Sequence, residues 1–203
     1  MKPQSDAPML RNTLILGICL WGAASWWTSR PIEQPPGVLA EASPIQTDLA
    51  GAAWFDHGDY QITPLATIEL TARILGRENY RFDGGADLVP TDLALGWGPM
   101  SDSEVLQHLE ISQSGRFYFW RANELPVPRR DIEVHSANMH LIPATDRVRD
   151  TVAETREGQL VSLRGYLVRV DRNDGWEWQS SLTREDTGAG ACELIWVEEL
   201  TIL

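Results

Sequence analysis

Three polar side chains stand at alternate positions in the segment Ile132–Ile142: Ser136, Asn138 and His140. Side chains along an extended strand point to opposite faces in turn, so these three share one face. A histidine beside an amide and a hydroxyl can move a proton or hold a ligand, with His140 as base or ligand and Asn138 beside it. The same spacing also fits a hydrogen-bonded or solvent-facing polar strand leading into Pro143. Cys192 is the second reactive group, and with His140 it would make a thiol nucleophile and its base. Such a thiol needs an electropositive or helix-terminal setting. Cys192 instead opens an apolar strand, which suits a small buried hydrophobe. The catalytic candidates are therefore Asn138, His140 and Cys192.

Arg184, Glu185 and Asp186 lie in a glycine-rich connection with Gly188 and Gly190. Loops carry ligand contacts more often than cores do, and Arg184 and Asp186, with Ser136, are the ligand-binding candidates. Tight connections also need glycine on conformational grounds alone. The string Asp186-Thr187-Gly188-Ala189 has the form of an aspartic-protease triplet. Those enzymes share a proton between two such carboxylates; here a charged run precedes the aspartate and no second copy exists. It reads as a connection between strands. Asp56-His57-Gly58-Asp59 offers three potential metal ligands, but glycine and aspartate are turn residues first. No metal site and no cofactor are expected.

The elements that must position these groups are mainly strands. Tyr60–Leu75 alternates, with Ile68, Leu70, Ala72 and Ile74 on one face, as a half-buried strand does. Asp83-Gly84-Gly85 and Pro90 mark a loop ending at Gly96-Trp97-Gly98-Pro99. Ser101 caps a short helix with Glu104 as its box partner, and Val105, Leu106 and Leu109 form the apolar face. Gly115–Arg121 reads as a short buried aromatic strand. Thr145–Thr155 reads as a helix with Val148 and Val152 inward.

Leu160–Val170 is largely apolar on both faces, so it is covered twice or coils sharply, and Gly165 permits the coiling. Asp174-Gly175 signals a type I′ hairpin. Trp176 and Trp178 share one face of the return strand, and Cys192–Val197 is the last strand. The fold class is α+β, mainly β: a small curled sheet or partly open barrel with two short helices. At the level of fold this resembles β-barrels of the oligonucleotide/oligosaccharide-binding type, a likeness that carries no function.

Thr13–Trp27 is a 15-residue uncharged run. As a helix it spans about 22 Å at ~1.5 Å per residue, and flanking Asn12, Thr28 and Ser29 bring it near the lower limit for a bilayer of roughly 30 Å. Ala23-Ala24-Ser25 would suit signal-peptide cleavage. An uncleaved signal anchor accounts better for Trp26-Trp27 at the outer interface. Residues 1–11 then stay in the cytoplasm, and residues 54–203 form the exported domain. Ser29–Ala53, with four prolines, reads as an extended tether or as an irregular arm lying on the domain.

Beyond Arg30 the chain has 14 basic and 28 acidic side chains and no lysine. A phosphate-binding surface needs clustered cations, so nucleic acid is excluded as an expected partner. The segments His135–Ala144 (HSANMHLIPA) and Ser180–Glu193 (SSLTREDTGAGACE) resemble an uncharacterised group of bacterial membrane-associated proteins, and the resemblance implies no activity. The expectation is a single-pass inner-membrane protein with a periplasmic domain that binds an envelope protein or a small ligand. The rival is an exported hydrolase using His140 with Asn138, Cys192 or the Arg184–Asp186 loop.

Overall fold

The computed structural model describes residues 30–183 and 192–203, together with Gly17 and Gly22, which are both helical. The chain divides into Met1–Pro31 and Ile32–Leu203. Apart from Gly17 and Gly22, the expected membrane segment lies outside the described residues, as does the Arg184–Asp186 loop. Among the described residues, no helix is long and apolar enough to cross a membrane.

The second unit is organised by one strand of 20 residues, β3 (Tyr60–Asn79). Its first part, Tyr60–Arg73, pairs antiparallel with β8 (Leu160–Arg172). Its last part, Arg73–Asn79, pairs with β4 (Thr91–Gly96). From β4 the sheet continues through β7 (Ser136–Pro143) and β10 (Glu193–Ile202) back to β8. The result is a curled sheet that does not close into a barrel, in keeping with the expected mainly-β fold with a small curled sheet. β7 and β10 are parallel, and every other neighbouring pair along this path is antiparallel. Three short strands extend the sheet at its margins: β1 (Ile45–Asp48), β2 (Phe55–His57) and β9 (Glu177–Gln179). β5 (Glu110–Ser114) and β6 (Phe117–Arg121) form a separate two-stranded sheet.

The sharp bend of β3 has a local cause. Pro64 cannot donate to a ladder, and the β3–β8 register shifts between Pro64 and Ala66. A second shift follows between Ile74 and Gly76 against β4. Gly165 carries the matching bend of β8: a Cβ there would lie 2.0 Å from the Trp196 carbonyl oxygen. Between the two shifts the alternation is regular, and Ile68, Leu70, Ala72 and Ile74 all enter the interior with Leu93, Leu95, Met139, Leu141, Leu163 and Val197. Burying each such side chain contributes roughly 1.5–3 kcal/mol.

Helix α3 (Asp146–Glu154) closes one part of this core with Val148 and Val152, and its cap Thr145 accepts from the Val148 amide. Two shorter helices precede it, α1 (Ser103–Leu106) and α2 (Arg129–Val134). The α2 segment reads as strand in the sequence from Ile132 onward, but β7 begins only at Ser136. The cap of α1 is Asp102 rather than Ser101, since the Asp102 carboxylate takes the Glu104 amide. Ser101 ends a 3-10 turn, Gly98–Ser101, and its hydroxyl accepts from the Leu39 and Ala40 amides.

That bond shows what the proline-rich stretch does. From Ile32 onward it lies on the domain as an arm: the Ile32 amide donates to Glu157, the Gly98 amide donates to Ala40, and β1 pairs with β3. Gly158 makes room for it. A Cβ there would sit 1.9 Å from the Ile32 carbonyl oxygen, and φ is +86°. The β8–β9 connection also differs from the expected type I′ turn. Only Gly175 has positive φ there, and the Arg172 amide donates to Trp176, which brackets a three-residue loop with glycine in the left-handed position.

Candidate functional site

On the outer face of the sheet, strands β4 and β7 set their polar side chains opposite one another. Asp92 pairs with His140, Ala94 with Asn138, and Gly96 with Ser136. Directly paired antiparallel residues share a face at close Cβ distance, so the Ser136–Asn138–His140 alternation meets a carboxylate from β4. Asp92 is 0% exposed and His140 1%. His140 Nδ1 lies 2.9 Å from Asp92 Oδ1, close enough for an ion pair although the approach is not aligned as a hydrogen bond. The imidazole also packs against Trp178 of β9, with ring centroids 4.7 Å apart.

The third member comes from the β5–β6 hairpin. Its two-residue tip, Gly115-Arg116, has positive φ at both positions, 58° and 71°, the signature of a type I′ turn. A side chain costs about 1–2 kcal/mol in that left-handed region. The geometry it gives is specific. The Arg116 guanidinium donates Nη1 to Asp92 Oδ1 at 2.8 Å, and Nε and Nη2 to the two oxygens of Asp83, each at 2.8 Å. Its plane lies over the Tyr80 ring at 3.7 Å. Burial acts against its charge, but the Asp83 and Asp92 carboxylates outweigh that and raise its pKa. The Arg116 hydrogen bond in turn holds Asp83 below the usual carboxylate range. Tyr80, half-buried and next to Asp92, has its hydroxyl pushed up to about 12 and accepts the Arg116 amide.

The remaining candidates are committed to this hairpin. Asn138 Nδ2 donates to the Arg116 carbonyl at 3.0 Å, and its Oδ1 accepts from Gln113 at 2.7 Å. Small residues on the sheet make space for Gln113: a Cβ on Gly76 would lie 2.7 Å from its Oε1. Ser136 donates to the Ile132 carbonyl at 2.7 Å and accepts from Tyr118 at 3.3 Å. It shares the face of His140, but its hydroxyl ties α2 to the hairpin. Cys192 points its thiol at the Arg116 carbonyl, 3.9 Å away. Burial, then Glu193 and Asp92, push that thiol up to about 11.

The structure places Asn138, His140 and Cys192 in one cluster around Asp92 and Arg116. The arrangement is chemically quiet. A thiol held protonated is a poor nucleophile, and the Asp92 oxygen nearest His140 also accepts from Arg116. The Asp56-His57-Gly58-Asp59 stretch is a tight turn between β2 and β3. Among the described residues, no group of histidine, cysteine and acidic side chains is placed to hold a metal ion.

The hairpin's other face is open to solvent. Phe117 and Phe119 of β6 are 40% and 51% exposed, and their rings lie 6.3 Å apart. This corrects the reading of Gly115–Arg121 as a buried strand: only Tyr118 and Trp120 turn inward, against Ile132 and Met100. Phe82, next to Asp83, is 99% exposed.

Compared with models of protein families, with curated proteins and with solved structures, the chain matches none.

Proposed function

We propose that this chain is a binding or scaffold module of the bacterial cell envelope, anchored in the inner membrane by Thr13–Trp27 with its β-rich domain in the periplasm. One observation carries the non-catalytic part of the reading. The side chains best suited to chemistry are buried and committed to holding the hairpin, while that hairpin turns two phenylalanines outward. Exposed aromatic side chains grouped on one rigid element are a common form of protein contact surface. The partner is an envelope protein or a small ligand, met on the Phe82, Phe117 and Phe119 side. Beyond Arg30 the chain is acidic and has no lysine, which disfavours nucleic acid.

The test is membrane fractionation of the full-length chain, followed by cross-linking in detergent of the wild type and a Phe117→Ser/Phe119→Ser double variant. The reading expects a membrane-bound chain and a cross-linked species that the double variant loses. A chain released in soluble form, or cross-links unchanged in the variant, would count against the anchor and the contact face respectively.

The second reading is an exported hydrolase using His140 with Asn138, Cys192 or the Arg184–Asp186 loop. Its support is that His140, Asn138 and Cys192 converge on Arg116. A hydrolytic activity lost in His140→Gln and Cys192→Ser, with the fold intact, would favour it.

A further inference from the structure

We propose that Arg116 occupies a guanidinium socket belonging to the body of the domain, and that an arginine side chain of a partner can take its place when the hairpin lifts. The walls of the socket are Asp83, Tyr80, Asp92, His140 and Trp178, and none of them is on the hairpin. Asp83 meets both edge nitrogens of the guanidinium at 2.8 Å, and Asp92 meets the third nitrogen at 2.8 Å. Tyr80 lies 3.7 Å beneath the plane and Trp178 flanks it at 5.6 Å. A fork of planar donors meeting a carboxylate bidentately, with an aromatic face below, is a recognition geometry for guanidinium and not for ammonium.

The socket also has reason to stay filled. Asp92 lies fully buried, and a buried carboxylate left without its cation is strongly unfavourable. The hairpin that fills it is held by side chains: β5 and β6 share no ladder with the main sheet. Its attachments include the Arg116 side chain, the bonds of the Arg116 amide to Tyr80 and of the Arg116 carbonyl to Asn138, the Gln113–Asn138 and Tyr118–Ser136 bonds, and the packing of Ile111, Tyr118 and Trp120 on Met100 and Ile132. Such an element can open as a unit while the strands beneath keep their pairing. The left-handed conformation of Arg116 adds a local bias towards release. A partner arginine arriving on a flexible segment would make the same three hydrogen bonds without that conformation. The socket does not rest on the phenylalanine contact face, since Arg116 reaches it from the hairpin tip.

The experiment uses the full chain carrying Arg116→Ala, with methylguanidinium chloride as the probe and methylammonium and sodium chloride as controls of equal ionic strength. The expected result is a lowered thermal midpoint that methylguanidinium restores in a saturable manner at millimolar concentration. Methylammonium should restore much less, and the wild type should show no such rise. Equal responses to all three salts, or equal responses of wild type and variant, would overturn the socket. Should the variant not fold, hydrogen exchange of the wild type decides. Amides of β5 and β6 should exchange faster than those of Asp92 and Asn138, and methylguanidinium should accelerate the hairpin amides alone. Equal exchange of the two sheets, or no selective acceleration, would overturn the proposal.

Discussion

Asp92 and His140 stand directly opposite one another on β4 and β7, and the same Asp92 oxygen that faces His140 Nδ1 at 2.9 Å takes a guanidinium nitrogen of Arg116 at 2.8 Å. One buried carboxylate thus meets side chains from two separate sheets. Removing its charge leaves Arg116 half-paired in a buried site. Breaking a buried pair by deleting one partner costs about 3–5 kcal/mol. Asp92→Asn should lose stability on that scale in urea denaturation, while Glu69→Gln, on the exposed side of β3, should stay within about 0.5 kcal/mol. An Asp92→Asn variant as stable as wild type would show that the cluster does not hold the hairpin.

Asp83 gives the same cluster a dependence on acid. Arg116 holds its carboxyl below the ordinary range, so the folded state binds that proton less readily than the unfolded chain. The stabilisation is complete above the ordinary carboxylate value and disappears as the pH falls through the depressed one. Thermal midpoints recorded downward from neutral pH should fall across that window, with a shallower slope in Asp83→Asn. Identical slopes in the two proteins would exclude Asp83 as a contributor.

Much of this architecture is legible in the amino-acid pattern. The alternation of Ile68, Leu70, Ala72 and Ile74 reports an inward face because a half-buried strand has no other way to place them. Val148 and Val152 report a helix face for equally local reasons, whereas Gly165 reads only as a site of coiling until the structure brings the Trp196 carbonyl against it. β4 is harder to read. Thr91–Gly96 is buried at every position, so its alternation of Asp92 and Ala94 with Leu93 and Leu95 hides between a proline and a glycine-rich turn. Arg116 is hidden for a different reason: a single arginine after a glycine is an ordinary surface turn until tertiary contacts bring it to Asp92 and Asp83. The face shared by Asn138 and His140 is visible in the sequence, but the group that occupies it is not.

Cys192 separates the quiet cluster from a catalytic one by a rate. Its thiol is pushed up to about 11, mainly by burial. At neutral pH its thiolate fraction is then a hundred-fold or more below that of a free thiol of pKa about 8.5. In a Cys19→Ser background, iodoacetamide should modify folded Cys192 slowly at pH 7.5, with the rate rising towards pH 11. The urea-unfolded chain should react as an ordinary thiol does. Fast modification of the folded chain at neutral pH would restore the nucleophile reading.

Gly165 and Gly158 test how the fold is assembled. At Gly165 an added methyl would meet the Trp196 carbonyl oxygen at 2.0 Å, and the atoms nearest it are backbone of Trp196 and Val197 and not a flexible side chain that could yield. The β8–β10 ladder must separate there, and the curled sheet depends on that ladder. Gly165→Ala should cost more than about 4 kcal/mol or prevent folding. At Gly158 the clash is with Ile32 of the arm, and the positive φ adds strain of about 1–2 kcal/mol. Here the arm can detach while the sheet stays paired. Gly158→Ala should therefore fold, with the Ile32 and Ala40 region newly open to limited proteolysis and the circular dichroism of the strands retained. If both variants lost all structure together, the arm would have to be counted as part of the core; if neither did, the close approaches at Ile32 and Trp196 would not be determinants of the fold.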